Sequence, residues 1–477
     1  FRKRFIPLCQ LENRQIDKLT NRQIDKSTNR QIDKRMVYIE LLIVLLAIFV
    51  GARVGGIGLG IFGMMGLGVL VFGFGLTPGN PPIDVMLIIV AVITAAATLQ
   101  AAGGLDYLVK VAEKILRKNP AMITFLAPVV CYFFTLFSGT GHIAYSLLPI
   151  ISEIATDSKV RPERPLSISV IASQQAITAS PISAATAALL SAELLGDKGV
   201  TLGNILMVCI PATLIGVIVG AIAVSFMGMP LEKDPEYLRR LKEGLLQKEE
   251  KSAIQISEKD QQRAKISVII FLIGVFSIML FGFIDALRPS FVTDGKLQKM
   301  EMTHVIEIIM MTVAGLILIF TRIDVNKVIK GSVFLAGMQA VIAIFGIAWM
   351  GDTFFGGNIE FFEKNIKGIV THYPFLFAIA LFVMSILLFS QASTVKTLYP
   401  MAVTTLNLPA LSLIAMFPAV NGYFFIPNYP TVVAAINFDR TGTTRIGKYV
   451  LNHSFQIPGF VATIVAIAVG YFIIMFM

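Results

Sequence analysis

Twelve apolar runs occupy most of residues 37–477, and they leave a chain of this kind few folds to choose from. They fall near 37–50, 54–76, 84–102, 121–151, 166–191 and 204–228, and then, after a polar stretch at 229–265, near 266–284, 303–320, 331–352, 374–403, 409–437 and 455–477. A helix that crosses a bilayer needs about 20 apolar residues, and most of these runs supply them. Hydrophobic residues make up 55% of the chain and charged residues only 15%, too little charge to cover the cores that a soluble fold of 477 residues would build. The same numbers exclude intrinsic disorder. The expected class is an all-α polytopic membrane protein.

Two of the runs, 121–151 and 374–403, are too long for one span and are broken in the middle. Their centres read FSGTGH (Phe137 to His142) and FSQAST (Phe389 to Thr394). Small hydroxyl residues and glycine at mid-run suggest two half-length helices meeting at a polar tip, so both are read as re-entrant hairpins. The run after each hairpin is also interrupted, by ITASPIS (Ile177 to Ser183) and by FFIPNYPT (Phe424 to Thr431). Proline removes an N–H and clashes with the preceding turn, which unwinds or kinks a helix. An ordinary proline kink would explain either break alone. Two hairpins and two broken helices in matching places fit inverted repeats, in which unwound backbone lines a cavity. The expected plan is a first membrane repeat over 36–228, a cytoplasmic linker at 229–265 and a second repeat over 266–477. Each repeat has about five transmembrane helices plus a re-entrant hairpin and a broken helix. A twelve-crossing plan, with both hairpins spanning, leaves the ends on the same side.

Charge orients this plan. With 229–265 cytoplasmic, the inner connections carry 23 Lys and Arg and the outer ones 6, while Lys396 lies in the second hairpin. That bias follows the positive-inside rule and puts Met36 and the C-terminus outside. Residues 1–35 stand apart. They repeat NRQIDK at Asn13, Asn21 and Asn29 and hold ten Lys and Arg against four Asp and Glu. The eight-residue period fits neither a heptad nor a 3.6-residue helix. They are expected to be upstream translated sequence or a disordered basic leader outside the fold. The net charge of +10 is then mostly leader and membrane orientation, and no nucleic-acid partner is expected.

Several motifs resemble catalytic ones. GLGIFG (Gly58 to Gly63) matches a dinucleotide pattern but lies inside an apolar span, where small residues serve close helix packing. GTTRIGKY (Gly442 to Tyr449) resembles a phosphate loop but ends in Tyr449 instead of the Ser or Thr that would hold Mg²⁺. The scattered Cys9, Cys131 and Cys209 and four dispersed histidines form no metal-ligand spacing, so no metal, no cofactor and no enzyme activity are expected.

What remains is four polar breaks. The candidate substrate-binding residues are Ser138, Gly139, Thr140 and His142 in the first tip, Thr178 and Ser180 in the first broken helix, Ser390, Gln391, Ser393 and Thr394 in the second tip, and Asn428 and Thr431 in the second broken helix. Half-helix N-termini carry partial positive charge and bare N–H groups, which suits carboxylates. Hydroxyl and amide donors hold a carboxylate without burying a cation. Two tips related by pseudo-symmetry would suit a ligand with a carboxylate at each end. Lys396, Asp439 and Arg445 are the gating or coupling candidates. Lys396 either acts inside the hairpin or snorkels to the outer interface. Asp439 and Arg445 either couple or anchor the inner face. His142 could titrate near neutral pH or simply pack.

Eight strings in order carry a family resemblance: GARVGGIGLG, LTPGNPPIDVMLII, TLQAAGGLDYL, SGTGHIAYSLLPII, RPERPLS, TASPISAA, IPNYPT and FDRTGTTRIGKYVLNHSF. Together they resemble the anaerobic C4-dicarboxylate transporter (Dcu) family over essentially all of 36–477. RPERP, FDR and NHSF point within it to the fumarate–succinate exchanging DcuB type. The resemblance implies exchange or uptake of fumarate, malate, succinate and aspartate across the inner membrane in anaerobic respiration. By analogy it also implies a homodimer and, for some members, a sensor-kinase partner. The sodium-site asparagine of related transporters is absent from both tips. A cation–proton antiporter on a similar scaffold is the alternative, and it would want an acidic residue near the midplane.

Overall fold

Backbone N–H and C=O groups have no water to bond in a bilayer, so apolar runs of this length are driven into helices. The computed structural model describes residues 34–191, 194–246, 258–293, 296–362, 372–388, 390–427, 429–447 and 452–477. The expectation for 1–35 therefore falls almost wholly outside the described residues.

The first half begins with α1 (Lys34–Val54), α2 (Gly58–Gly68, continued by a π-turn at Val69–Gly73) and α3 (Ile83–Ala101). Next comes α4 (Gly104–Lys118), between the apolar runs 84–102 and 121–151. It is amphipathic: Ala112 and Leu116 are buried, while Lys110 and Lys118 are exposed. α5 (Ile123–Ser138) and α6 (Ala144–Asp157) then meet at Gly139–Ile143. α7 (Glu163–Ala179) and α8 (Ala184–Leu190) flank the break at Pro181, and α9 (Leu202–Ser225) closes the half. A capping box starts α9: Asn204 N–H donates to Thr201 Oγ1 (3.1 Å) and Thr201 N–H donates back to Asn204 Oδ1 (2.9 Å).

The linker contributes α10 (Pro235–Lys242). The second half holds α11 (Glu258–Phe283), a two-stranded hairpin β1 (Ser290–Thr293) and β2 (Lys296–Lys299), α12 (Met302–Thr321), α13 (Val325–Ile329), α14 (Ser332–Gly357) and α15 (Ile359–Phe362). The strands pair antiparallel, with Ser290 opposite Lys299. α16 (Phe375–Leu388) and α17 (Gln391–Pro400) flank the second tip, α18 (Ala410–Met416, extended by 3-10 turns to Phe424) and α19 (Pro430–Phe438) flank the second break, and α20 (Gln456–Ile474) ends the chain. Among the described residues, seven helical stretches are long and apolar enough to cross a membrane, four in the second half. Pro120–Ser138 is one of the seven by length, so helix length alone does not make the first tip re-entrant.

Helix pairings occur in matching sets. α2 packs on α14 as α12 packs on α3, α1 on α2 as α11 on α12, and α17 on α8 as α6 on α19. α9 and α20 pack on each other. The α2–α14 crossing explains GLGIFG. A Cβ on Gly60 would lie 2.1 Å from the Ile342 carbonyl oxygen, and one on Gly346 would lie 1.9 Å from the Gly60 oxygen. The motif serves a backbone-to-backbone approach that only glycine permits.

Candidate functional site

A cavity of about 470 Å³ opens where the two tips and the two broken helices converge. That volume lies within the range of roughly 300–1,000 Å³ usual for small-molecule sites. Its polar wall is built from Ser138, Gly139, Thr140 and Gly141 of the first tip, Ser390 and Gln391 of the second, and Tyr429 and Thr431 at the second break. Tyr145 and Gln339 add to it, and apolar faces of α3 and α14 complete it. No Lys, Arg, Asp or Glu is among the described lining residues. The first turns of α6, α17 and α19, at the tips and the second break, supply wall residues, as do those of α2, α8 and α14, so several helix N-termini bear on this space.

Local chemistry shapes each tip. Gly139 ends α5 in the left-handed region (φ +71), and its N–H donates to Thr135 O at 2.8 Å. A side chain there would be strained and would meet Ile182 at 3.0 Å, so glycine brings the first tip against the first break. In the second tip, Ser390 is the N-cap of α17, its Oγ accepting from Ser393 N–H at 3.1 Å.

Among the residues singled out from the sequence, Ser138, Gly139, Thr140, Ser390, Gln391 and Thr431 line the cavity. Thr178, Ser180, Ser393 and Thr394 are buried beside it and are not on its wall. Thr178 donates to Gln175 O (2.8 Å) and Thr394 to Ser390 O (2.8 Å), bonds within their own segments. Ser180 Oγ accepts from Ile182 N–H, and Ser393 Oγ is buried without a hydrogen-bond partner. His142 falls in the turn between α5 and α6, but its side chain, like the whole of Asn428, lies outside what is described.

The coupling candidates sit elsewhere. Lys396 is buried, and its Nζ donates to Ser191 Oγ at 3.2 Å near the end of α8, so it does not snorkel to the outer interface. Asp439 is buried at the C-terminal end of α19. Its carboxylate accepts from Thr441 N–H (2.9 Å), Thr443 Oγ1 (2.8 Å) and Thr444 N–H (2.6 Å). Arg445 is exposed, and its N–H donates to Ser454 Oγ at 3.0 Å.

The sequence reading passed over an amide chain behind the wall. Gln391 Nε2 donates to Gln174 Oε1 (3.3 Å) and Asn421 Oδ1 (3.1 Å), and Gln174 Nε2 donates to Thr431 Oγ1 (3.3 Å). Asn421 Nδ2 donates to Gln175 Oε1 (3.2 Å), and Gln175 Nε2 to Thr463 Oγ1 (2.9 Å). Three buried amides inside apolar runs were the available signal, because such groups must be hydrogen-bonded.

The family model described as an anaerobic C4-dicarboxylate membrane transporter matches residues 36–477. The chain belongs to this family. It is 46% identical over 446 residues to the C4-dicarboxylate transporter DcuA of Escherichia coli (strain K12), covering 93% of this chain and all of that one. It is 44% identical to DcuA of Wolinella succinogenes, covering 92% of this chain and 99% of the relative. To the anaerobic C4-dicarboxylate transporter DcuB of Escherichia coli O6:H1 it is 40% identical, covering 91% and 97%. Identity to these DcuA transporters thus exceeds identity to this DcuB, whereas the three short strings point to the DcuB type. Among solved structures, the fold is similar to YdaH of Alcanivorax borkumensis (TM-score 0.56, 12% identity, 92% of this chain and 97% of that one). It is also similar to MtrF of Neisseria gonorrhoeae (TM-score 0.53, 12% identity, 85% and 84%). These likenesses support an all-α polytopic membrane fold.

Proposed function

We propose that this Dcu-family chain carries C4-dicarboxylates (fumarate, malate, succinate and aspartate) across the inner membrane by exchange or uptake, in support of anaerobic fumarate respiration. One observation carries the reading beyond family membership. The cavity between the tips and breaks is lined by hydroxyls, two amides and helix N-termini, with no charged side chain among its described lining residues. Such a wall attracts carboxylates through N–H and O–H donors and does not trap them with a fixed cation. A carrier must release what it binds. The lack of a lining carboxylate among the described residues gives a cation–proton antiporter reading nothing to rest on.

In this reading Ser390, Thr431, Ser138 and Thr140 contact substrate, together with His142 and Asn428 of the same breaks. Thr178, Ser180 and Thr394 hold the broken segments in shape with their side chains, and Ser393 does so only through its backbone N–H to Ser390 Oγ. Lys396 ties the second hairpin to the end of α8, while Asp439 and Arg445 belong to an inner-face knot that moves with gating. The matched helix pairings support two repeats, 36–228 and 266–477, joined by the linker 229–265. The charge bias supports both ends outside. The chain acts as a carrier, not an enzyme.

Counterflow in proteoliposomes tests this. Vesicles loaded with succinate should accumulate labelled succinate, and external fumarate should compete in a saturable way. Folded protein that shows no counterflow of any C4-dicarboxylate would overturn it.

A further inference from the structure

We propose that Gln391 determines specificity as a hydrogen-bond acceptor. Its Oε1 faces the cavity and takes a hydrogen bond from the 2-hydroxyl or 2-ammonium group of a substituted C4-dicarboxylate. This rests on the cavity being the substrate site.

The orientation of the amide chain follows from one backbone group. Pro418 O can only accept, and it takes a hydrogen bond from the Asn421 side chain at 3.1 Å. That end of Asn421 is therefore its nitrogen, and its Oδ1 is the atom turned to Gln391. Gln391 must meet Oδ1 with a nitrogen. The two protons of Nε2 are spent on Asn421 Oδ1 and Gln174 Oε1. Neither Asn421 nor Gln174 lines the cavity, whereas Gln391 does. The nitrogen is thus turned into the protein, and Oε1 is the polar atom left for the cavity. Among the described residues Oε1 accepts no hydrogen bond, yet it is not among the fully buried atoms without a partner.

A carbonyl oxygen turned to the cavity repels a carboxylate and attracts a donor. Ionised succinate and fumarate offer no donor, whereas malate and aspartate carry one at C2. The other end of the chain has the opposite polarity. Thr431 Oγ1 accepts from Gln174, so its hydroxyl proton is directed to a carboxylate in the cavity. One amide chain thereby sets a donor at Thr431 and an acceptor at Gln391.

The test is competition against labelled succinate counterflow in proteoliposomes of the full chain, using malate and 2-methylsuccinate. The two have similar bulk, but only malate has the donor. Wild type should favour malate by about tenfold, the loss expected when a site's hydrogen-bonding group is left unpaired. Gln391→Met, which keeps length and removes the acceptor, should collapse that preference to within about twofold, read as the ratio of the two inhibition constants within the variant, so that any general loss of affinity from breaking the bonds to Gln174 and Asn421 cancels. Equal inhibition of wild type by both compounds overturns the proposal even if Gln391→Met cannot be recovered folded. So does a variant that weakens both compounds alike and leaves the preference intact. Absence of any succinate counterflow in wild type would instead sink the transport reading itself.

Discussion

Arg161 and Asp234 form a buried ion pair, with Nη1 2.6 Å from Oδ2, that ties the loop before α7 to the linker between the two halves. Asp234 is also the N-cap of α10, its Oδ1 accepting from Glu236 N–H (2.9 Å) and Tyr237 N–H (3.2 Å). Arg161 Nε reaches Glu163 Oε2, and the other Glu163 oxygen accepts from Ser454 Oγ at 2.7 Å. Linker, α7 and the segment after α19 thus share one network at the face of the bundle that bears the linker. Removing one partner of a buried ion pair strands the other, at a cost of about 3–5 kcal/mol. Asp234→Ala should lower the thermal unfolding midpoint of purified protein clearly, and Lys159→Ala, in an exposed pair with Glu232, hardly at all. Similar shifts for the two would show that the buried network does not hold the linker.

Acid should weaken this face through His453. Its Nδ1 accepts from Phe455 N–H (3.2 Å), which leaves the proton on Nε2 to donate to Phe425 O (3.2 Å). Burial pushes the imidazole below its ordinary value, and the Phe425 carbonyl offsets this only in part. The unfolded chain therefore takes up the proton first. Stability from this group is full above the unfolded value of about 6.5 and falls as pH drops below it. The unfolding midpoint should fall between pH 7.5 and 5.5, and by less in His453→Gln. Asp234 does not contribute in this window. Burial alone would raise its carboxyl, but the Arg161 and N–H hydrogen bonds outweigh burial and hold it below the usual carboxylate range. Its share is lost only at more acidic pH. Identical falls in wild type and His453→Gln would remove His453 as the cause.

At the α2–α14 crossing, Gly346→Ala should be costly although alanine is the better helix former. The new methyl would meet the Gly60 backbone, which cannot rotate away. Overpacking of this kind costs about 1–3 kcal/mol. Gly315→Ala, where nothing lies within 4 Å, should be neutral or mildly stabilising. Thermal midpoints of the two variants compare them directly, and a tolerant Gly346 would mean that the helices do not cross this closely.

In the second tip, Ser390 and Ser393 should behave differently. Ser390→Ala removes the α17 cap beside the cavity, a loss of about 1 kcal/mol, and should raise the succinate KM roughly fivefold. Ser393→Ala removes a hydroxyl that is already buried without a partner and should leave KM within about twofold. A larger effect at Ser393 would place that hydroxyl in contact with substrate.

Much of the helical plan was readable from composition and punctuation. Apolar run length set the helices, and glycine, serine and proline marked the tips and breaks because each frees or redirects backbone. Ser390 and Thr431 were found because polar groups at mid-run are costly. Gln174 and Asn421 were missed because they lie inside apolar runs and away from the breaks, and only contact reveals what they hold. α4 was read as a connection because its charges mask an apolar stripe with a 3.6-residue period.

The sequence by itself determined that this chain is a bundle of apolar helices with two polar tips and two breaks, and its ordered motifs placed it in a transporter family. Those are local properties, of run length, breaker residues and strings. The tertiary structure decided which polar residues share a cavity and which only cap their own segment. It also decided that Lys396 is buried against Ser191 and that Gln391 turns its nitrogen inward. These depend on hydrogen bonds between residues separated by as many as 217 positions, whose direction is set by which partner can only accept. No local pattern encodes that geometry.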